Sequence, residues 1–135
     1  MNYKITLIVG LPGSGKTTLA QSMLNSDTFL IDDPSRNKHI FQEAVESLKS
    51  NIIICDPLLT FTKVDSVISF LKRKFGNDVD FEWIYFDNDP DQAWENHEHR
   101  NLTEYRNLNK RGFEEMSKKY IIPNGATVIP VYRSK

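Results

Sequence analysis

A glycine-rich loop with one lysine is the clearest chemical feature of the sequence. Residues 10–17 read GLPGSGKT, which matches the pattern G-x-x-x-x-G-K-[ST]. Glycines let the backbone wrap around a phosphate, and successive N–H groups then point inward at the start of a helix. The Lys16 ammonium adds positive charge for the β- and γ-phosphates of a nucleotide, and the Thr17 hydroxyl is a ligand for Mg²⁺. We therefore predict a phosphate-binding loop. Its binding residues are Gly10, Pro12, Gly13, Ser14, Gly15, Lys16, Thr17 and Thr18.

Acidic residues follow the next two apolar runs of the sequence. Asp32 and Asp33 come after TFLI, and Asp56 comes after NIIIC. A carboxylate beside a phosphate loop can accept the proton of an acceptor hydroxyl, so we interpret Asp32 as a general base and keep Asp33 as the alternative base. A turn or helix cap is the competing interpretation, because Asp before Pro commonly opens a turn. Asp56 closes a hydrophobic strand, which is the pattern of an acid that holds Mg²⁺ or one of its waters.

Two segments carry a local excess of positive charge. Between His99 and Arg111 there are four Lys or Arg residues and one Glu, and the polar sequence breaks helical periodicity. We predict a lid over approximately residues 97–111, whose Arg100 and Arg106 clamp the phosphates that are transferred. A solvated hinge between two helices is the alternative. The second segment follows Asp32 and contains Arg36, Lys38 and His39. It predicts either a site for a phosphate of the acceptor or a solvated helix face.

Strand and helix patterns alternate along the chain. The strand patterns are Tyr3–Val9, Thr28–Ile31, Asn51–Cys55, Asp80–Phe86 and Ala126–Tyr132. Pro130 indicates that the last of these is an edge strand. The helix patterns are Lys16–Asn25, Ser35–Lys49, Thr62–Phe75, a segment that begins at Asp89 and Pro90, and Lys110–Tyr120. This alternation predicts a mostly parallel sheet with helices on both faces. Ligands of such sheets bind beyond the carboxyl ends of the strands, where the loop and the acids lie.

Length and charge narrow the class of protein. A chain of 135 residues predicts a single domain over residues 1–135. The net charge is −1, so no global positive field holds nucleic acid or a membrane surface. The single cysteine, Cys55, excludes an internal disulfide. The first apolar run is too short for a signal peptide or a membrane span, so we expect a soluble protein of the cytoplasm with no membrane partner.

The motifs together resemble those of the P-loop kinases, most closely the polynucleotide 5′-kinase branch. The resemblance rests on GLPGSGKTT after a strand, the acid pair, IIICD, YFDNDP and the basic segment that follows, and it covers nearly the whole chain. It implies a three-layer α/β/α fold with a five-stranded parallel sheet of order 2-3-1-4-5 and a short lid. It further implies that Lys16 and Thr17 hold ATP and Mg²⁺, that Asp32 is the base, that Arg100 is the lid arginine and that Arg36 grips a phosphate of the acceptor.

The chain departs from these relatives at two places. Ile31 stands where they usually have an arginine before the acid pair, and Asp56 is followed by Pro-Leu-Leu instead of a polar run. We expect an ATP- and Mg²⁺-dependent transfer of the γ-phosphate to a hydroxyl, on a nucleic-acid 5′ end or a nucleotide. The alternatives are a kinase for a small metabolite or nucleoside, and a non-enzymatic ATP-binding or regulatory module. A GTPase is set aside, because both Asn-Lys pairs lack the Asp that reads guanine.

Overall fold

The computed structural model of the chain describes residues 2–32, 38–55, 64–99 and 110–132. Within these ranges it has five strands: β1 Tyr3–Val9, β2 Thr28–Asp32, β3 Asn51–Cys55, β4 Val79–Phe86 and β5 Thr127–Ile129. It also has five helices: α1 Lys16–Ser22, α2 Ile40–Glu46, α3 Val64–Phe75, α4 Pro90–His99 and α5 Lys110–Lys119. None of the helices in the described ranges has the length and apolar character that a membrane span requires.

The strands form one parallel sheet in the order β2-β3-β1-β4-β5, which confirms the predicted architecture. Strand β1 lies at the centre, where Leu7 pairs with Ile54 of β3 on one side and Trp83 of β4 on the other. Parallel neighbours require a crossover between strands, and each crossover here contains a helix. All five carboxyl ends therefore meet at one edge of the sheet.

Both faces of the sheet are covered, which explains why β3 is an unbroken apolar run. On one face, α3 packs through Val67, Leu71 and Phe75. On the other face, the buried Phe113 of α5 and Ala20 of α1 belong to a second core cluster. Because alternate residues of a strand point to opposite faces, a strand between two helix layers has no side that favours polar residues.

The bounds of the strands agree with the prediction to within three residues, but the second helix is shorter than predicted. It spans Ile40–Glu46, and Lys38 and His39 form a turn before it. It ends before the predicted Lys49, because Leu48 has a φ of 60° and the N–H of Lys49 donates to the Ser47 hydroxyl at 3.2 Å. Other differences also have local causes. Helix α1 ends at Ser22 instead of Asn25, because the Asn25 side-chain oxygen accepts a hydrogen bond from the backbone N–H of Asp27 at 2.8 Å and forms a turn. Strand β5 stops at Ile129, since Pro130 has no N–H to donate, and it is an edge strand as predicted. The predicted starts of the second and third helices fall outside the described residues.

Candidate functional site

The glycine-rich loop leaves the central strand at the carboxyl edge of the sheet. It follows Val9 of β1 and ends at Gly15, which is the N-cap of α1. The N–H of Ser14 donates to the carbonyl of Leu11 at 3.1 Å, and the N–H of Leu19 donates to the carbonyl of Gly15 at 3.0 Å. The loop thus closes on itself and passes directly into the helix, in the strand–loop–helix order that a phosphate-binding loop requires.

Two glycines of the loop are required by its conformation and its neighbours. Gly13 and Gly15 have φ of 81° and 108°, a region that side-chain-bearing residues rarely adopt. A Cβ on Gly13 would lie 2.4 Å from the carbonyl oxygen of Ala93, and a Cβ on Gly15 would lie 2.7 Å from the Cβ of Tyr132. Helix α4 and the segment after β5 therefore press against the loop from outside and define its shape.

The Lys16 side chain curls back over the loop. Its Nζ donates to the carbonyl oxygens of Gly10 and Leu11, each at 2.9 Å, and the residue is buried. These bonds hold the ammonium against the backbone at the start of the loop. The Ser14 hydroxyl is also buried and has no hydrogen-bond partner among the described residues. A buried hydroxyl without a partner needs an explanation, and a phosphate oxygen bound in the loop would supply that partner.

Thr17 and Asp32 meet across the end of the sheet. The Thr17 hydroxyl donates to Oδ2 of Asp32 at 3.3 Å, although β3 lies between β2, which ends at Asp32, and β1, which precedes the loop and α1. The contact arises because α1 passes over the end of β3, where the Cys55 thiol lies 3.6 Å from the carbonyl oxygen of Lys16. A hydroxyl oxygen is a suitable ligand for Mg²⁺, so Thr17 fits a magnesium ion beside the loop, and the Asp32 carboxylate lies next to it at the same edge of the sheet.

The structure places some predicted site residues and leaves others outside its described ranges. Loop residues 10–18 and Asp32 come together at the carboxyl edge. Lys38 and His39 precede α2 and line a cavity against α3. The remaining predicted residues lie outside the described residues: Asp33, Arg36, Asp56, Arg100 and Arg106.

Asn96 of α4 is a site residue that the sequence reasoning missed. It is fully buried, and its side-chain amide donates to the carbonyl of Gly13 at 2.9 Å and to the carbonyl of Tyr132. Its own oxygen accepts a hydrogen bond from the Gln92 side chain at 3.0 Å. Asn96 therefore joins α4, the glycine-rich loop and the segment after β5. The signal in the sequence is the pair of amides four residues apart, on the helix face that also carries the buried Ala93.

An aromatic cluster joins α4 to α5. The ends of the predicted lid, residues 97–99 and 110–111, belong to these two helices. Trp94 and His97 of α4 pack on Phe113 of α5, with ring centroids 5.1 and 5.2 Å from that of Phe113. His97 is buried and stacked against Trp94 at 5.6 Å. Because Asn96 lies between these two residues, the same stretch of α4 contacts both the cluster and the glycine-rich loop.

Tyr120 joins the carboxyl ends of β1 and β4, directly before the loop begins. Its hydroxyl donates to the carbonyl of Phe86 and lies 3.3 Å from the carbonyl of Val9, at the ends of β4 and β1. Burial raises the pKa of Tyr120, and the negative charges of ionised Tyr85 and Asp87 raise it further. The hydroxyl therefore stays protonated and remains a donor over the whole physiological range.

Comparison with known proteins gives a sequence relative and several structural ones. No protein-family model matches the chain. An uncharacterized protein of Acanthamoeba polyphaga mimivirus is 32% identical over an alignment of 128 residues, which covers 89% of this chain and 85% of the viral protein. The chain belongs to the family of this viral protein. The similarity of this chain to solved structures shows its fold.

Three solved structures share the fold at low sequence identity. A gluconokinase from Sinorhizobium meliloti 1021 aligns over 99% of this chain and 86% of its own, with a TM-score of 0.62 and 10% identity. Kti12 from Chaetomium thermophilum, solved in complex with ADP-AlF3, aligns over 93% and 88%, with a TM-score of 0.58 and 16% identity. A chain of the Pnkp1/Rnl/Hen1 RNA repair complex aligns over 87% of this chain, with a TM-score of 0.61 and 17% identity. The present chain spans 44% of that one. The fold is that of the P-loop kinases, as the resemblance predicted.

Proposed function

We propose that the protein is an ATP- and Mg²⁺-dependent phosphotransferase that moves the γ-phosphate of ATP to a hydroxyl acceptor. The contact between Thr17 and Asp32, at 3.3 Å, is the observation that carries this proposal. It brings a hydroxyl suited to the metal and a carboxylate suited to the proton to one end of the glycine-rich loop. A loop that only bound nucleotide would need the first of these groups but not the second.

Each residue of the site has a distinct proposed role. The N–H groups of residues 10–18 and the Lys16 ammonium bind the phosphates and stabilise the charge that develops on them. Mg²⁺, when bound, neutralises phosphate charge, and Thr17 and Asp56 are the residues proposed to hold it. Asp32 accepts the proton of the attacking hydroxyl at a carboxylate oxygen. The exposure of Asp32 at the carboxyl edge leaves room for an acceptor to approach.

The lid is the second part of the proposal. Arg100 and Arg106 follow α4, and Asn96 and the aromatic cluster tie this helix to the glycine-rich loop and to α5. The contact between α4 and the glycine-rich loop supports a lid that begins at the end of this helix. We propose that the two arginines contact these phosphates and exclude water during transfer.

The acceptor is proposed to be a nucleic-acid 5′-hydroxyl or a nucleotide. The resemblance to polynucleotide 5′-kinases supports this acceptor, and the similarity to a chain of an RNA repair complex agrees with it. A small-metabolite or nucleoside kinase is the second candidate, which the similarity to a gluconokinase favours. A non-enzymatic ATP-binding module is the third, and it predicts tight ATP binding without transfer.

Transfer of label from γ-labelled ATP tests the proposal directly. The acceptors are 5′-hydroxyl DNA, 5′-hydroxyl RNA, and a panel of nucleosides and small hydroxyl compounds. Asp32→Asn is expected to lower kcat by about 10²–10⁴-fold with little change in the KM for ATP, because a general base acts in the transition state. Asp80→Asn, an exposed carboxylate near the start of β4, is the matched control and should keep full activity.

Two results would count against the proposal. Full activity of Asp32→Asn would reject this residue as the base, and Asp33→Asn would then be measured. Binding of ATP by calorimetry without transfer to any acceptor would reject the phosphotransferase and favour the non-enzymatic module.

A further inference from the structure

The cavity that Lys38 and His39 line lies between α2 and α3. Its volume is about 490 Å³, which falls within the roughly 300–1,000 Å³ of sites for small molecules. Its walls are the turn before α2, the first turn of α2, and the last two turns of α3. The lining residues are Lys38, His39, Phe41, Gln42, Phe70, Arg73 and Lys74.

The cavity is strongly cationic. Lys38, Arg73 and Lys74 are exposed, and none of them forms an ion pair with any residue in the described ranges. No aspartate or glutamate is among the described lining residues. Cations gathered around one cavity repel each other, and an anion bound between them would remove that repulsion. Arginine adds a planar fork of donors that matches two oxygens of a phosphate.

The floor of the cavity is aromatic. Phe41 and Phe70 are half-buried and meet edge to face, with ring centroids 5.1 Å apart. Phe75 supports Phe41 at 6.5 Å and in turn packs on Tyr3 at 5.0 Å. The Lys74 ammonium lies 5.5 Å from the centroid of the Phe70 ring. A ligand in this cavity therefore meets an apolar surface on one side and positive charge on the other.

This cavity is separate from the glycine-rich loop. Phe75 at the end of α3 contacts Tyr3 at the start of β1, so this end of α3 lies at the amino edge of the sheet. The loop follows the other end of β1, and a strand of this length spans about 20 Å. A ligand near Arg73 and Lys74 is accordingly too far from the loop to accept a phosphate bound there.

We infer that the cavity binds a mononucleotide-sized organic phosphate. The phosphate lies between Lys38 and Arg73, and the ring of the ligand packs on Phe41 and Phe70. The charge of the lining selects for the phosphate, and the aromatic floor selects for an organic group over inorganic phosphate. This site is additional to the proposed transfer reaction and does not depend on it.

Titration of adenosine 5′-monophosphate into the full chain tests this inference. The Lys16→Ala variant serves as the background, so that binding at the glycine-rich loop does not contribute. Calorimetry gives the affinity, and NMR follows the ring resonances of Phe41 and Phe70. We expect saturable binding with shifts at both rings. Lys38→Gln with Arg73→Gln should weaken binding by about tenfold for each cation removed, the loss expected for one charge-assisted hydrogen bond.

Matched controls distinguish binding in the cavity from nonspecific attraction of the ligand by positive charge. Lys72→Gln with Lys119→Gln removes the same charge from exposed positions that do not line the cavity, and it should leave the affinity unchanged. Equal weakening by both double variants would overturn the inference, as would the absence of saturable shifts at the two rings.

Two further ligands complete the test. Adenosine without phosphate should bind at least tenfold more weakly than the monophosphate, and equal binding would overturn the role of the cations. An oligonucleotide that binds while the monophosphate does not would also overturn the inference and assign the cations to a polynucleotide surface. None of these outcomes bears on catalysis at Asp32, so the two proposals fail independently.

Discussion

Replacement of Asn96 by alanine should change the conformation of the glycine-rich loop without changing the residues that bind phosphate. The change removes two hydrogen bonds to backbone carbonyls, those of Gly13 and Tyr132, and the bond from Gln92. Each such bond contributes about 0.5–1.5 kcal/mol net, so the free energy of unfolding should fall by about 2–3 kcal/mol. For a domain of this size, that loss lowers Tm by roughly 5–10 °C.

The effect on nucleotide binding is the more informative quantity. Asn96 is uncharged, so it does not attract the phosphates electrostatically. Its replacement instead lets the loop leave the conformation that binds nucleotide. If the loop keeps that conformation about a tenth of the time, the affinity for an ATP analogue falls about tenfold. Calorimetry with the analogue and Mg²⁺ measures this, at a temperature where the variant is folded.

A matched variant distinguishes loop shape from general loss of stability. Gln92→Ala removes a buried amide of the same helix, whose side chain donates a hydrogen bond to Asn96. We expect it to lower Tm with a smaller change in affinity than Asn96→Ala. A folded Asn96→Ala protein that binds the analogue with wild-type affinity would refute this prediction. The hydrogen bonds of Asn96 would then not determine the conformation of the loop.

The remaining predictions concern the loop, the lid and pH. Lys16→Ala should weaken nucleotide binding, and Thr17→Ala should chiefly weaken the contribution of Mg²⁺ to that binding. Calorimetry with and without the metal measures both effects. A wild-type protein that binds no nucleoside triphosphate would contradict both predictions. Hydrogen exchange over residues 101–109 should slow when an ATP analogue and Mg²⁺ are added, whereas a solvated hinge predicts equal exchange. Because the folded pKa of Tyr120 is raised above the unfolded value of about 10, its stabilising contribution is full below pH 10 and is lost as pH rises further. Urea unfolding between pH 8 and 11 should show this fall, and Tyr120→Phe should reduce it; an identical fall in that variant would exclude Tyr120 as its source.

The sequence alone determined the elements and their order. Strands β1 and β3 were predicted residue for residue, because short runs rich in apolar and β-branched residues and bounded by turn residues favour strands. Their alternation with helices required a parallel sheet and placed the glycine-rich loop and Asp32 at one edge. The strand order came from the resemblance to a family, since local patterns do not state which strands are neighbours.

Contacts between distant parts of the chain were decided by the tertiary structure. Asn96 and Gly13 are 83 positions apart, and nothing in the helical pattern of α4 indicates that its buried amide faces the loop. The cavity between α2 and α3 likewise combines Lys38, in the turn before α2, with Arg73 of α3. Periodicity shows which face of an element is buried, but the partner of that face depends on how the elements pack. That packing depends on the volumes of all the core side chains together, a property that no single segment of the sequence contains.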